Sequence, residues 1–219
     1  MNPRYALLSA TAVALIAPMT LASPVTTFND TLDTEFFPGS GNSNEHFAIT
    51  RLAEQGGNTI ELGLKSKERF FGIGNVGIND NTYTVQPGFS PVSGSDPTLS
   101  TNAWWNFDFS VDLGSRTLAD TQVVLTIDFD NDASGPVVLD FGTDCSFGSL
   151  LQGSQNVAFG YLGFDPNAIG TYDFTLSVFD RGVPFPLASI TMQTVVVPLP
   201  GAAGLALAGM GLLGVRRRR

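Results

Sequence analysis

Nine residues, Trp105-Asn106-Phe107-Asp108-Phe109-Ser110-Val111-Asp112-Leu113, alternate apolar and polar side chains without a break. Only a β-strand sends every second side chain to the same side. Phe107, Phe109, Val111 and Leu113 therefore share one face, and Asn106, Asp108, Ser110 and Asp112 share the other. A strand of this kind needs sheet partners and a second layer to cover its apolar face.

The same period returns along the chain. Residues 46–52 and 59–65 alternate on either side of Gln55-Gly56-Gly57-Asn58, a turn composition that predicts a hairpin. Residues 123–130 lead through Asn131-Asp132-Ala133-Ser134-Gly135 into 136–141, a second hairpin, and 170–180 lead through Arg181-Gly182-Val183-Pro184 into 187–196, a third. Residues 69–73 and 82–86 are shorter strand candidates, and 28–44 read as an irregular lead-in whose apolar handle is Phe36-Phe37-Pro38. With 24 glycines and 13 prolines punctuating the strands and little helical periodicity, the expected fold is all-β. We expect an antiparallel β-sandwich, jelly-roll-like or immunoglobulin-like, occupying residues 23–194 as one domain. Pairing 106–113 with 123–130 would put Asp108, Asp112, Asp128 and Asp130 on one face.

Both termini carry targeting patterns. Arg4, the apolar run 6–17, Pro18 and Thr20-Leu21-Ala22 form the charged, apolar and small-residue sections of a secretory signal peptide over residues 1–22. Signal peptidase is expected to cut between Ala22 and Ser23. At the other end, 201–215 carry no charge and Arg216, Arg217, Arg218 and Arg219 close the chain as a stop-transfer cluster that holds the C-terminus on the cytoplasmic side. Fifteen helical residues span roughly 22 Å against a hydrocarbon core of about 30 Å, so the segment relies on bilayer thinning and snorkelling arginines. Pro198 and Pro200 keep the stretch before it extended and accessible to a processing enzyme.

Val197-Pro198-Leu199-Pro200-Gly201, the small-residue span and the arginine tail together resemble the PEP-CTERM class of sorting signals in its VPLPA-type variant, with Gly201 in place of the usual Ala. The resemblance covers 195–219 and implies recognition by a membrane-embedded exosortase-type enzyme in a Gram-negative envelope, often in organisms that make exopolysaccharide. It makes Val197 to Gly201 substrate residues, since the chemistry belongs to the partner. Two internal stretches, Trp105 to Ser110 and Gly160-Tyr161-Leu162-Gly163-Phe164-Asp165-Pro166-Asn167 with 170–176, resemble segments of exported proteins bearing this tag. That second resemblance implies a β-sandwich ectodomain with no assigned activity. The expected course is export, anchoring in the inner membrane as a precursor, and delivery to the periplasm, cell surface or extracellular matrix.

Charge sets the remaining classes. Without Arg4 and the terminal arginines, six basic residues face 20 acidic ones, a formal charge of −14 that repels nucleic acid and anionic lipid. Cys145 is the single cysteine, so no internal disulfide can form. His46 is the single histidine, which removes histidine-rich zinc sites, and it reads best as a surface residue at a strand end. Neither Gly-x-Ser-x-Gly nor a phosphate loop is present. The expected function is non-enzymatic and needs no cofactor.

Two binding alternatives stay open. Asp108, Asp112, Asp128, Asp130 and Asp132 are candidate calcium ligands, although Ala133 and Leu139 stand where an EF-hand needs Gly and Glu. Trp104 and Trp105 point oppositely on a strand, so one enters the core and the other is a candidate glycan contact, widened by Tyr83, Phe89 and Tyr161. A carboxylate-pair glycoside hydrolase is the remote third reading, because acids are plentiful.

Overall fold

The computed structural model describes residues 22–38, 43–68, 75–76, 81–90, 102–130, 135–141 and 148–198. Among them are eleven strands and two sheets. The first sheet orders β1 (Val25–Asp30), β2 (Phe47–Ala53), β3 (Thr59–Glu68), β6 (Trp105–Asp112) and β9 (Leu150–Asn156) side by side. The second orders β4 (Asn75–Val76), β5 (Thr82–Val85), β11 (Pro186–Val196), β10 (Gly170–Asp180), β7 (Thr121–Phe129) and β8 (Val137–Asp140). All three expected hairpins form, as β2/β3, β7/β8 and β10/β11.

Alternation builds the core. Ile60, Leu62 and Leu64 of β3 and Trp105, Phe107, Phe109 and Val111 of β6 meet Val123, Leu125 and Ile127 of β7 and Tyr172, Phe174 and Leu176 of β10. Trp105 sets its indole edge-on to Tyr172 at 5.2 Å, and Phe107 lies 5.1 Å from Phe174. Each such side chain contributes roughly 1.5–3 kcal/mol by leaving water, which lets the fold dispense with disulfides. A polar pair also crosses this interior: the Ser66 and Thr194 hydroxyls bond each other at 2.6 Å between β3 and β11, so neither is left unsatisfied.

The second sheet is mixed rather than wholly antiparallel, because β5 runs parallel to β11 with Thr82 opposite Gln193. A second expectation is also corrected. The strands at 105–112 and 121–129 do not pair; they belong to opposite sheets, and β6 lies between β3 and β9. Both strands carry one apolar face, and each buries it in the core between the two sheets rather than lying beside the other. The eight residues between them change layers. Gly114 makes the turn at φ 61°, where a Cβ would meet the Thr59 carbonyl oxygen at 2.7 Å. Arg116 fixes the crossing by pairing with Glu54 of the first sheet's hairpin turn at 2.5 Å and with Asp180 at the end of β10.

The predicted lead-in is partly strand, since 25–30 form β1, and its residues 39–42 lie outside the described residues. β4 and β9 were not expected. Residues 69–73, the turn 131–134, Cys145 and the membrane segment 201–215 lie outside the described residues. No helix among the described residues is long and apolar enough to cross a membrane.

Candidate functional site

The polar face of β6 turns away from the core, yet it is not open to water. Residues 31–38 and 43–46, between β1 and β2, pack against the outside of the first sheet as a strap. Leu32 and Phe36 pack on Phe47 and Ile49 of β2 as a small second core. Gly63 makes room for them: a Cβ there would stand 2.6 Å from Leu32 Cδ2. Under the strap two acids fasten it, Asp112 of β6, which was among the predicted calcium ligands, and Glu61 of β3, which was not. Asp112 accepts a hydrogen bond from Thr34 Oγ1 at 2.6 Å and another from the Gly114 amide at 2.9 Å. Glu61 accepts the Asp33 amide at 3.1 Å and pairs with Arg51 Nη2 at 2.8 Å. Arg51 also holds Asp30 at 2.9 Å and Asp33 at 3.1 Å, tying β1 and the strap to β2. Burial pushes the Glu61 carboxyl up, against the Asp33 amide and Arg51.

Asp108 is the most deeply placed of these acids, with 0% of its side chain exposed. Lys67 Nζ stands 3.3 Å and Lys65 Nζ 3.8 Å from its Oδ2, while neither carboxylate oxygen receives a hydrogen bond of sound geometry. Burial raises the Asp108 carboxyl above the usual range, opposed by Lys67, the Ser154 hydroxyl and Lys65. Lys65 donates to the Ser43 and Glu45 carbonyl oxygens at 2.7 and 3.3 Å and sits over the Phe47 ring at 4.2 Å. Its burial pushes it down to about 8, against the pull of Asp108.

The five candidate calcium ligands do not come together. Asp108 and Asp112 stand under the strap of the first sheet, whereas Asp128 is exposed on the second, opposite Asp173, and Asp130 is exposed just past β7. Asp132 lies outside the described residues. Among the described residues no three His, Cys, Asp or Glu side chains are arranged to hold a metal ion. The premise that failed was the β6/β7 pairing, which periodicity cannot decide.

Of the candidate glycan contacts, Trp105 is a core residue at 1% exposure with no face open to a ligand, while Trp104 is partly exposed. Trp104 belongs to one end of the sandwich, where its amide donates to the Gly88 carbonyl at 2.9 Å and the Gly88 amide donates to Pro166 at 2.7 Å. Phe89 and Tyr161 are exposed there or nearby, and Tyr161 donates to Gln155. Tyr83, expected to widen the glycan contact, is instead 1% exposed, because β5 carries it into the core. His46 stands immediately before β2 at φ 65°, partly exposed, with Nδ1 2.6 Å from Asn29 Oδ1.

Ala22 and Ser23 are exposed and lead directly into β1; with Pro24 they help line an open groove of about 840 Å³ together with Leu52, Arg116 and Leu187. At the other end the Val197 amide donates to the Val85 carbonyl at 2.9 Å and Pro198 follows in the open. Leu199, Pro200, Gly201 and Arg216 to Arg219 lie outside the described residues. Sequence reasoning missed the strap and Lys65. The signal for them was present in Lys65-Ser66-Lys67, two cations two residues apart, and so on one face, at the end of the alternating run 59–65.

No family model matches this chain, and no curated protein matches it. Among solved structures it is similar to the CARDB domain of a Pyrococcus furiosus protein crystallised with di-metal ions. That match has 12% identity and a TM-score of 0.30, covering 64% of this chain and 96% of that one.

Proposed function

We propose that this chain is an exported, non-enzymatic β-sandwich protein of the cell surface or extracellular matrix. It enters the envelope by signal peptidase cleavage between Ala22 and Ser23 and is sorted by an exosortase-type enzyme acting at Val197, Pro198, Leu199, Pro200 and Gly201. The observation that carries this reading is how closely the strands fill the interval between the two processing positions. β1 begins at Val25, three residues after Ala22, and β11 ends at Val196, one residue before the motif. Cleavage at either position leaves every strand intact, and Val197 is the last residue bonded to the sandwich before Pro198. A protease needs an extended substrate, and two prolines two apart supply one.

The formal charge of −14 suits a soluble surface protein and disfavours anionic partners, so neutral exopolysaccharide is the matching matrix component. Trp104, with exposed Phe89 near it, is the residue set offered for that contact, since a flat aromatic face stacks on a sugar ring. Replacing both Pro198 and Pro200 by Ala tests the sorting reading. The variant is expected to stay in the membrane fraction as precursor while the parent chain matures; equal maturation of both would remove the motif from the account.

A further inference from the structure

Lys65 and Asp108 face each other directly on β3 and β6, with Nζ 3.8 Å from Oδ2 and 2% and 0% of their side chains exposed. The Ser43 and Glu45 carbonyls take two of the three hydrogen-bonding positions on Nζ. Asp108 is the only carboxylate within 4 Å of it among the described residues. Phe47 and Phe36 rings lie 4.2 and 5.7 Å from Nζ and keep water out. Both Asp108 oxygens are buried and accept no hydrogen bond of sound geometry, although the Ser154 hydroxyl and the Lys67 ammonium stand beside them, an arrangement that a purely structural ion pair does not favour. Burial acts on both groups in the direction of neutrality, Lys65 downward and Asp108 upward. Transfer of one proton from the ammonium to the carboxylate therefore leaves a free amine facing a carboxylic acid.

We propose that Lys65 and Asp108 form an intramolecular isopeptide bond, Nζ acylated by the Asp108 side-chain carbonyl carbon, which staples β3 to β6 beneath the strap. The Nζ lone pair attacks that carbon and forms the N–C bond. The Lys67 ammonium, 3.3 Å from Oδ2, stabilises the negative charge on the tetrahedral intermediate and relays a proton to the departing oxygen. The C–O bond then breaks and water leaves. One ammonium and one carboxylate become one secondary amide and one water, so no oxidant or outside reactant is consumed. The product replaces a buried charge pair with a neutral group whose carbonyl can accept from Lys67, which removes the desolvation penalty. With a single cysteine in the chain, this bond supplies a covalent cross-link that a disulfide cannot.

The test is a tryptic map, under denaturing conditions, of the full-length protein taken from material that melts cooperatively. Acylated Lys65 resists trypsin, so the expected product is a branched peptide joining residues 52–67 to residues 70–116, lighter by one water than the two linear peptides together. Lys65→Met and Asp108→Ala remove it, and Lys67→Met slows its appearance. Recovery of linear 52–65 and 70–116 from the wild-type protein, or a branch at Lys67, overturns the proposal. Because the wild-type map decides, a variant that fails to fold leaves the test intact.

Discussion

The Tyr83 hydroxyl of β5 reaches across the sandwich to the other sheet, accepting the Ala48 amide at 3.1 Å and donating to the His46 or Leu64 carbonyl at 2.9 or 3.2 Å. One side chain thus ties the short second-sheet strand to β2 and β3. Burial pushes its hydroxyl far up, so it stays protonated at any working pH.

Tyr83→Phe keeps the ring and removes the oxygen. Leaving the Ala48 amide buried without its acceptor is expected to cost about 1–3 kcal/mol. Chemical denaturation of the purified protein measures this, and a variant as stable as its parent would show that the bond contributes nothing net.

Glu61 supplies a pH dependence whose sign can be fixed. Its folded pKa is raised above 4.5, chiefly by burial, so the folded state holds that proton more tightly than the unfolded chain. The ionised form is disfavoured in the fold, and stability relative to Glu61→Gln increases as pH falls toward 4.5. Urea titrations of both proteins at a series of pH values give the difference directly. Arg51→Met, which takes the cation from a carboxylate 4% exposed, is expected to cost about 2 kcal/mol near neutrality and less in acid.

The strap rests on the gap at Gly63. Gly63→Ala places a methyl 2.6 Å from Leu32 Cδ2 and is expected to destabilise by about 1–3 kcal/mol. Leu32→Ala creates space at the same point, so the double variant should lose less than the sum of the two single changes. Strict additivity in thermal melts would mean that the two side chains do not meet.

Much of this architecture was legible, and the reasons are local. Strands 105–112, 121–129 and 170–180 declare themselves through alternation of large apolar side chains, because each has one face in the core. β9 does not, since Leu150-Leu151-Gln152-Gly153-Ser154-Gln155-Asn156 is mostly polar and its Gly153 exists to admit the Phe109 ring. Which strands adjoin is a tertiary decision. Alternation in β6 and β7 is equally satisfied by pairing and by facing, and choosing pairing gathered Asp108, Asp112, Asp128 and Asp130 into a cluster that the sandwich divides. The strap was hidden for a related reason: 31–46 has no period, and its fastening acids read as a solvated face until the segment covering them is known. Trp105 lies in the core and its neighbour Trp104 is partly exposed, in keeping with the opposite directions of adjacent side chains along an extended chain.

The central claim is that this sandwich is delivered and processed through the motif following β11. Intact mass and C-terminal peptide mapping of the protein recovered from its native envelope and culture medium test it most directly. The account predicts a chain that starts at Ser23 and has lost the residues beyond the Pro198 to Gly201 region, with every strand from Val25 to Val196 retained. Recovery of Arg219 on the membrane-bound protein, with no shortened form in envelope or medium, would contradict it.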